Sequence, residues 1–347
     1  MKPKRSHKQE QLAKLYDADI LPIYAQRFGR MLLRDLSPPP KAMILDVGCG
    51  TGYPALDVLR RMDEQGRIIA IDPAQPMLAE AREKAGPLSG KRIFFRSESL
   101  DERLSFDDDV YDLVLSNLGL VDVDDPSHAL VEFGRVAKPG GRVIATAPLS
   151  GSFGEFYDLF REVLTKRDRP DAIARLDHWL VRYPTPAEAE EWMRNAGLVD
   201  VAVEHESFQL LFKSSREFFF APIIEYGPLT DWKEIAGQGQ EMQDVFWLIK
   251  EAIDAYFGES PFAVTIHAGC LRGRKPLEEE RPEEPVRTEG TRPRSRLPQP
   301  ALTPAGDTGV IPLGTGEIDI IDVPVTGRFL EEDEEDEEDE EDEEKPA

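Results

Sequence analysis

Long apolar runs are missing from this sequence. The longest, Phe218-Phe-Phe-Ala-Pro-Ile-Ile224, is far short of the ~18 residues that a membrane-crossing helix needs. The basic opening, MKPKRSHKQEQL, has no apolar stretch behind it and so does not resemble a secretory signal. Cysteine is also scarce. Cys49 and Cys270 are far apart and lack metal-ligand spacing, which argues against a disulfide framework or a structural zinc site. Together these absences predict a soluble, cytoplasmic protein with no membrane and no metal.

Positive charge is in deficit, with 42 Lys+Arg against 67 Asp+Glu and a net charge of −25. About half of that imbalance comes from one unbroken acidic run, Glu331 to Glu344. A protein that binds duplex nucleic acid normally shows a basic face, so no nucleic-acid partner is expected. From Ala268 to Arg328 there is no aromatic residue and no histidine, and seven prolines fall between Pro276 and Pro304. Such a segment buries too little apolar surface to offset its ordering entropy. The expected organisation is one domain over 1–275, a disordered proline-rich linker over 276–330 and an acidic tail over 331–347. The tail would raise solubility or meet a basic protein partner. Two strand-like islands, Gly309–Leu313 and Glu317–Val323, are either residual pattern or short motifs that add a strand to a partner's sheet.

What is present is a regular alternation. Ala42–Val47, Arg67–Asp72, Arg92–Arg96, Tyr111–Ser116 and Arg142–Ala147 read as buried strands. Helical periods lie between them at Pro54–Met62, Gln75–Ala85 and Pro126–Val136. This pattern predicts an α/β fold with a doubly wound parallel sheet. The punctuation agrees. Asp125-Pro126 is an N-cap followed by proline, Pro139-Gly-Gly141 is a stop, and Thr185-Pro-Ala-Glu188 is a capping box. Further on, helices are expected at Ser152–Lys166, Pro186–Ala196 and Gln240–Phe257, and strand-like runs at Val199–Phe212 and Phe262–Leu271. Phe218-Phe219-Phe220 and the stripe Met242, Val245, Phe246, Ile249, Ile253, Phe257 fit core positions better than a pocket wall or lid.

The chemistry is concentrated in Ile44-Leu-Asp-Val-Gly-Cys-Gly-Thr-Gly-Tyr53, which follows a strand and opens a helix. Glycines in that place let the backbone approach a ligand closely. A dinucleotide fingerprint would need its third glycine where Tyr53 stands. Asp46 also suits a cationic amine better than a pyrophosphate. Asp72, at the end of the second strand, can accept hydrogen bonds from two ribose hydroxyls. A ribose joined to a positive, phosphate-free end describes S-adenosylmethionine.

Leu45-Asp-Val-Gly-Cys-Gly-Thr-Gly52 resembles the first motif of the class I S-adenosylmethionine-dependent methyltransferases. Ile71-Asp72 with Pro76-Met77-Leu78, Tyr111–Asn117 and Arg135–Arg142 resemble the family's later elements, in order and at the expected spacing. Tyr16-Asp17…Pro22 and the layout to about residue 275 are similar to the small-molecule, quinone-biosynthesis-like branch.

The resemblance implies a Rossmann-like seven-stranded sheet of order 3-2-1-4-5-7-6 with its last strand antiparallel. The core would span 40–148, with cap elements at 10–36 and 152–182. It implies that Asp46 and the Gly48–Gly52 backbone, Cys49 and Gly50 included, hold the methionine end, and that Asp72 holds the ribose. Glu98 or Ser99 would lie beside the adenine, and Asn117 near the transferred methyl. Asn117-Leu-Gly-Leu120 departs from the Asn/Asp-Pro-Pro-Tyr of amino-directed nucleic-acid enzymes. The implied activity is methyl transfer to O, C or N of a small molecule. A protein or carrier-bound substrate, or a cofactor-binding scaffold without turnover, are the alternatives. No compelling general base stands out. His178 is the best-placed histidine, and Tyr16, Tyr24 and Tyr183 are comparable candidates for the acceptor pocket.

Overall fold

The computed structural model describes residues 7–258 and 260–280, the side chains of 7–10 excepted. The proposed linker and acidic tail therefore fall almost wholly outside the described residues.

Seven strands form one sheet: β1 (Met43–Val47), β2 (Arg67–Ile71), β3 (Ile93–Arg96), β4 (Tyr111–Asn117), β5 (Ala137–Pro148), β6 (Val199–Phe212) and β7 (Phe262–Arg274). Their order is β3-β2-β1-β4-β5-β7-β6. β1 to β5 pair in parallel, and β7 runs antiparallel to both β5 and β6. The expected order and the antiparallel last strand are both observed.

Successive strand residues point to opposite faces. Thus Ile44 joins one apolar core, while Leu45 and Val47 join the other. The second core is closed by α5 (Pro126–Val136) and α8 (Pro186–Asn195), through residues such as Leu130, Phe133, Ala189 and Met193. The first is covered by α1 (His7–Leu15), α2 (Gln26–Leu33), α3 (Ala55–Arg61), α4 (Gln75–Ala85), α6 (Gly154–Lys166) and α7 (Pro170–Leu180). α9 (Ser215–Phe219), α10 (Pro222–Glu225), α11 (Leu229–Ala236) and α12 (Gly239–Phe257) complete that layer. α9 to α11 are absent from the sequence reading because runs of 5, 4 and 8 residues are too short to show a helical period.

The punctuation works as expected. Asp125 accepts the His128 amide at 3.0 Å. Thr185 and Glu188 close a reciprocal capping box. Val245, Ile249 and Ile253 of α12 are buried, as core positions should be. The phenylalanine triplet splits: Phe218 is fully buried, whereas Phe220 is 62% exposed with the Arg216 guanidinium over its ring.

Two departures matter for the site. The cap at 10–36 is not one helix. α1 passes through a π-helical stretch, Tyr16–Ala25, into α2. Pro22 sits inside this stretch and has no N–H for the regular ladder, a setting in which wider turns occur. The second departure is at the C-terminal edge. Beyond Lys275, Glu280 takes the Arg274 guanidinium in an ion pair and accepts the Leu277 amide at 2.8 Å. The folded body thus continues to at least Glu280, past the expected boundary at 275.

Candidate active site

The chain reverses its winding between β1 and β4, and a doubly wound sheet holds its ligand at such a switch point. The glycine loop lies there. The Gly48 and Cys49 amides both donate to the Ile71 carbonyl at 2.9 Å, so the loop is tied to the end of β2. Gly48, Gly50 and Gly52 have φ of +74°, +49° and +96°, which side chains resist. A Cβ on Gly48 would also meet the Gly119 backbone at 3.0 Å. Cys49 is buried filler: burial pushes its thiol well above the usual range.

Three carboxyl groups converge on this loop. Asp46 is fully buried, and neither of its oxygens has a hydrogen-bond partner among the described residues. Burial pushes its carboxyl up to about 7; the Ala55 amide, outside hydrogen-bonding geometry, pulls down and the Asp72 charge pushes further up. Asp72 Oδ2 accepts the Gly50 amide at 2.8 Å, and its Oδ1 accepts the Ala74 amide at 2.9 Å. Burial raises its pKa against those two bonds. The third is Asp122, just past β4. Crowding by the protein pushes it up to about 6, the Asp72 charge adds to the shift, and Arg182 opposes it. Asp122 is nevertheless exposed, so solvent screens this shift. It was missed in the sequence, where an aspartate among Asp124 and Asp125 reads as part of a polar turn.

The π-helical stretch roofs the loop. The Tyr16 ring comes within 4.0 Å of where a Cβ on Gly50 would stand. Burial raises its phenol far above the ordinary range, with Asp122 and Asp72 the next causes. Asp17 fastens the roof by accepting from Thr51 Oγ1 and Lys84 Nζ, both at 2.6 Å. Tyr16 therefore stands over the glycine loop.

Tyr183 is buried and Tyr24 half-buried further under the cap. Tyr183 neighbours the Tyr157 hydroxyl, which accepts the Trp179 and Trp232 indole N–H groups at 2.9 and 3.2 Å. Arg182 lies over the Trp179 ring at 3.8 Å.

Other sequence candidates are already engaged. Asn117 donates to the Ala25 carbonyl at 3.2 Å and accepts from Thr146 Oγ1 at 2.9 Å, so its amide joins β4 to the cap and to β5. Glu98 accepts from the Ser105 amide and hydroxyl and pairs with Arg96, while Ser99 accepts the Asp101 amide at 3.3 Å. Both belong to a self-contained turn after β3. His178 is exposed on α7, whereas Ala172 and Leu176 face inward. Helical rotation thus turns this candidate away from the buried aromatic group. No metal-holding cluster occurs among the described residues. No helix among them is long and apolar enough to cross a membrane.

Sheet order, glycine loop and the acid ending β2 define a Rossmann-like methyltransferase fold, and residues 44–141 match a family model described as a methyltransferase domain. This segment is similar to S-adenosylmethionine-dependent methyltransferases, among them enzymes of quinone biosynthesis. A demethylmenaquinone methyltransferase of Bacillus cereus is 34% identical over 139 residues, which is 39% of this chain and 57% of that relative. One from Bacillus anthracis matches to the same extent. The chain thus spans 57% of the length of these curated relatives. Among solved structures, the YcgJ protein of Bacillus subtilis is 16% identical with a TM-score of 0.47, covering 72% of this chain and 99% of that one. A phosphoethanolamine N-methyltransferase of Haemonchus contortus, solved with S-adenosyl-L-methionine, is 19% identical with a TM-score of 0.45, covering 73% and 53%.

Proposed function

We propose that this protein is a methyltransferase that uses S-adenosylmethionine to methylate a small molecule carrying a hydroxylated aromatic or similar ring. One observation carries the proposal. Asp46 is a carboxylate with no partner, buried beside a glycine loop. A buried charge without a partner is costly, and a cationic ligand would relieve that cost. The ammonium and sulfonium groups of S-adenosylmethionine supply such charge.

In this reading Asp46 and the Gly48–Gly52 backbone hold the methionine end. Asp72 receives the ribose hydroxyls while it keeps the loop in shape through Gly50. Bound S-adenosylmethionine would supply a methyl group already activated on sulfur. What remains for the protein is alignment, worth up to ~7–11 kcal/mol when an acceptor is well oriented. Tyr16 excludes water above the loop and stays protonated. Asp122, exposed beside Tyr16 and Asp72, is the candidate to take a proton from an acidic acceptor hydroxyl. The ring-shaped acceptor is inferred from the names of the relatives and from the aromatic residues Tyr24, Tyr157 and Tyr183 under the cap.

The test is direct. Full-length protein is incubated with S-adenosylmethionine and a demethylmenaquinone, and separately with the small-molecule and macromolecular fractions of a cell extract. S-adenosylhomocysteine is then measured. Product with the quinone or the small-molecule fraction supports the proposal. Product only with the macromolecular fraction moves the acceptor to a protein or carrier. Cofactor binding without product in any arm leaves a scaffold and overturns the enzymatic reading.

A further inference from the structure

Behind the glycine loop, on the far side of Tyr53, an open groove of about 480 Å³ lies between α2 and α3. α2 contributes Gln26, Arg30 and Leu33, the residue capping its C-terminus is Arg34, and α3 contributes Asp57 and Arg61. Gln26, Arg30 and Arg34 follow one another at four-residue spacing, so they share a helix face.

Three guanidinium groups in one groove are unexpected in a chain of net charge −25. Their partners are unequal. Arg34 is drawn to Glu204 and Glu206 on β6. Asp57 pairs with Arg60, outside the groove lining. Arg61 uses Nη1 to donate to the Leu33 carbonyl at 2.6 Å, which fixes the side chain and leaves its positive charge uncompensated. Neither Arg30 nor Arg61 has a carboxylate within ion-pairing distance among the described residues. Burial and Asp57 raise the Tyr53 phenol, and Arg30 and Arg61 oppose them, which places all three charges beside its ring. Asp57 is the one acid in the lining, and Arg60 already pairs with it, so the guanidinium groups outnumber the acid and a bound anion would reduce their mutual repulsion. Guanidinium groups suit phosphate and carboxylate because their donors match two oxygens at once.

We propose that the groove lined by Arg30, Arg61, Gln26 and Tyr53 binds a small multivalent anion, a phosphate or a polycarboxylate. The site lies apart from the one that would hold S-adenosylmethionine. It is mechanically close to that site, however. Tyr53 directly follows the glycine loop, and its ring rests on Gly29 of α2, where an added Cβ would fall 2.3 Å from the ring. An anion held by Arg30 of α2 and Arg61 of α3 would brace the cap against the helix that follows the loop.

The test uses the full chain without S-adenosylmethionine, so its failure and that of the methyltransferase reading are distinguishable. Inorganic pyrophosphate and citrate are titrated calorimetrically. Thermal melts are recorded at about 10 mM of each anion against sodium chloride of matched ionic strength. Saturable binding and a rise in melting temperature beyond the chloride control are expected with at least one anion. Response to pyrophosphate alone assigns a phosphate site, and response to citrate alone a carboxylate site. Arg30→Glu, at an exposed position, should leave the melting temperature without anion near wild type and weaken binding at least tenfold. Arg61→Lys should weaken it less, because the charge is kept and the fork is lost. No response beyond chloride, or equal binding by wild type and Arg30→Glu, overturns the proposal.

Discussion

Asp72 Oδ2 accepts the amide of Gly50 at 2.8 Å, and this bond joins the end of β2 to the middle of the glycine loop. The acid expected to hold a ribose therefore also shapes the turn that would hold the methionine end. A substitution at Asp72 should act on both.

Asp72→Ala should weaken S-adenosylmethionine binding by ten- to a thousand-fold, since each hydrogen bond to a charged group contributes ~1.5–3 kcal/mol. Asp72→Asn should fall between, as it keeps a carbonyl oxygen for Gly50. Calorimetry with wild-type affinity in the alanine variant would remove Asp72 from the site.

Asp46 should give the ligand-free protein an unusual pH response. Its carboxyl rises from 3.8 unfolded to about 7 folded, so between those values the folded state binds more protons. Stability is therefore lost as pH rises through that window, with a ceiling of about 4 kcal/mol. Asp46→Asn should show a flatter dependence of melting temperature between about pH 5 and pH 8, and should lose cofactor affinity. Parallel curves for the two proteins would show that Asp46 is compensated.

Asn117→Ala should act on stability more than on cofactor binding. It leaves the Thr146 hydroxyl and the Ala25 carbonyl without their partner. The expected loss is ~1–3 kcal/mol, with cofactor affinity within about threefold of wild type. A large affinity loss at unchanged melting temperature would restore Asn117 to the cofactor site.

Tyr157→Phe should destabilise the cap by a similar ~1–3 kcal/mol, because two indole N–H groups lose their acceptor. His178→Ala, at an exposed position, should change neither melting temperature nor turnover. A fall in turnover for His178→Ala alone would show that α7 moves to bring it inward.

Neither cysteine should react with a thiol reagent until the protein unfolds. Both are buried, and burial raises both thiols, Cys270 to about 11. Rapid labelling of the native protein would contradict the packing of the glycine loop.

Much of this protein was legible in the order of residues alone. The strands from β1 to β5 are short apolar runs, the glycine loop needs conformations that few other residues adopt, and the caps at Asp125 and Thr185 act within four residues. Such signals are local, so the strand–helix alternation and the motif at Gly48–Gly52 could be read directly, whereas the sheet order was implied by the resemblance those motifs carry. The tertiary structure decided which polar groups remain available. Asn117 stands where a ligand contact was expected, but Ala25 and Thr146 engage it across distances in sequence that no local pattern encodes, while Glu98 is engaged by Arg96 and Ser105 within its own turn. His178 and Trp179 are neighbours in the chain, yet about 100° of helical rotation exposes one and turns the other toward Tyr157. Asp122 and Arg30 read as ordinary surface charges. Only folding sets the first against Tyr16 and Asp72 and leaves the second facing Arg61 across a groove. Burial and pairing are properties of the whole packed chain, which is why they appear only when the fold is assembled.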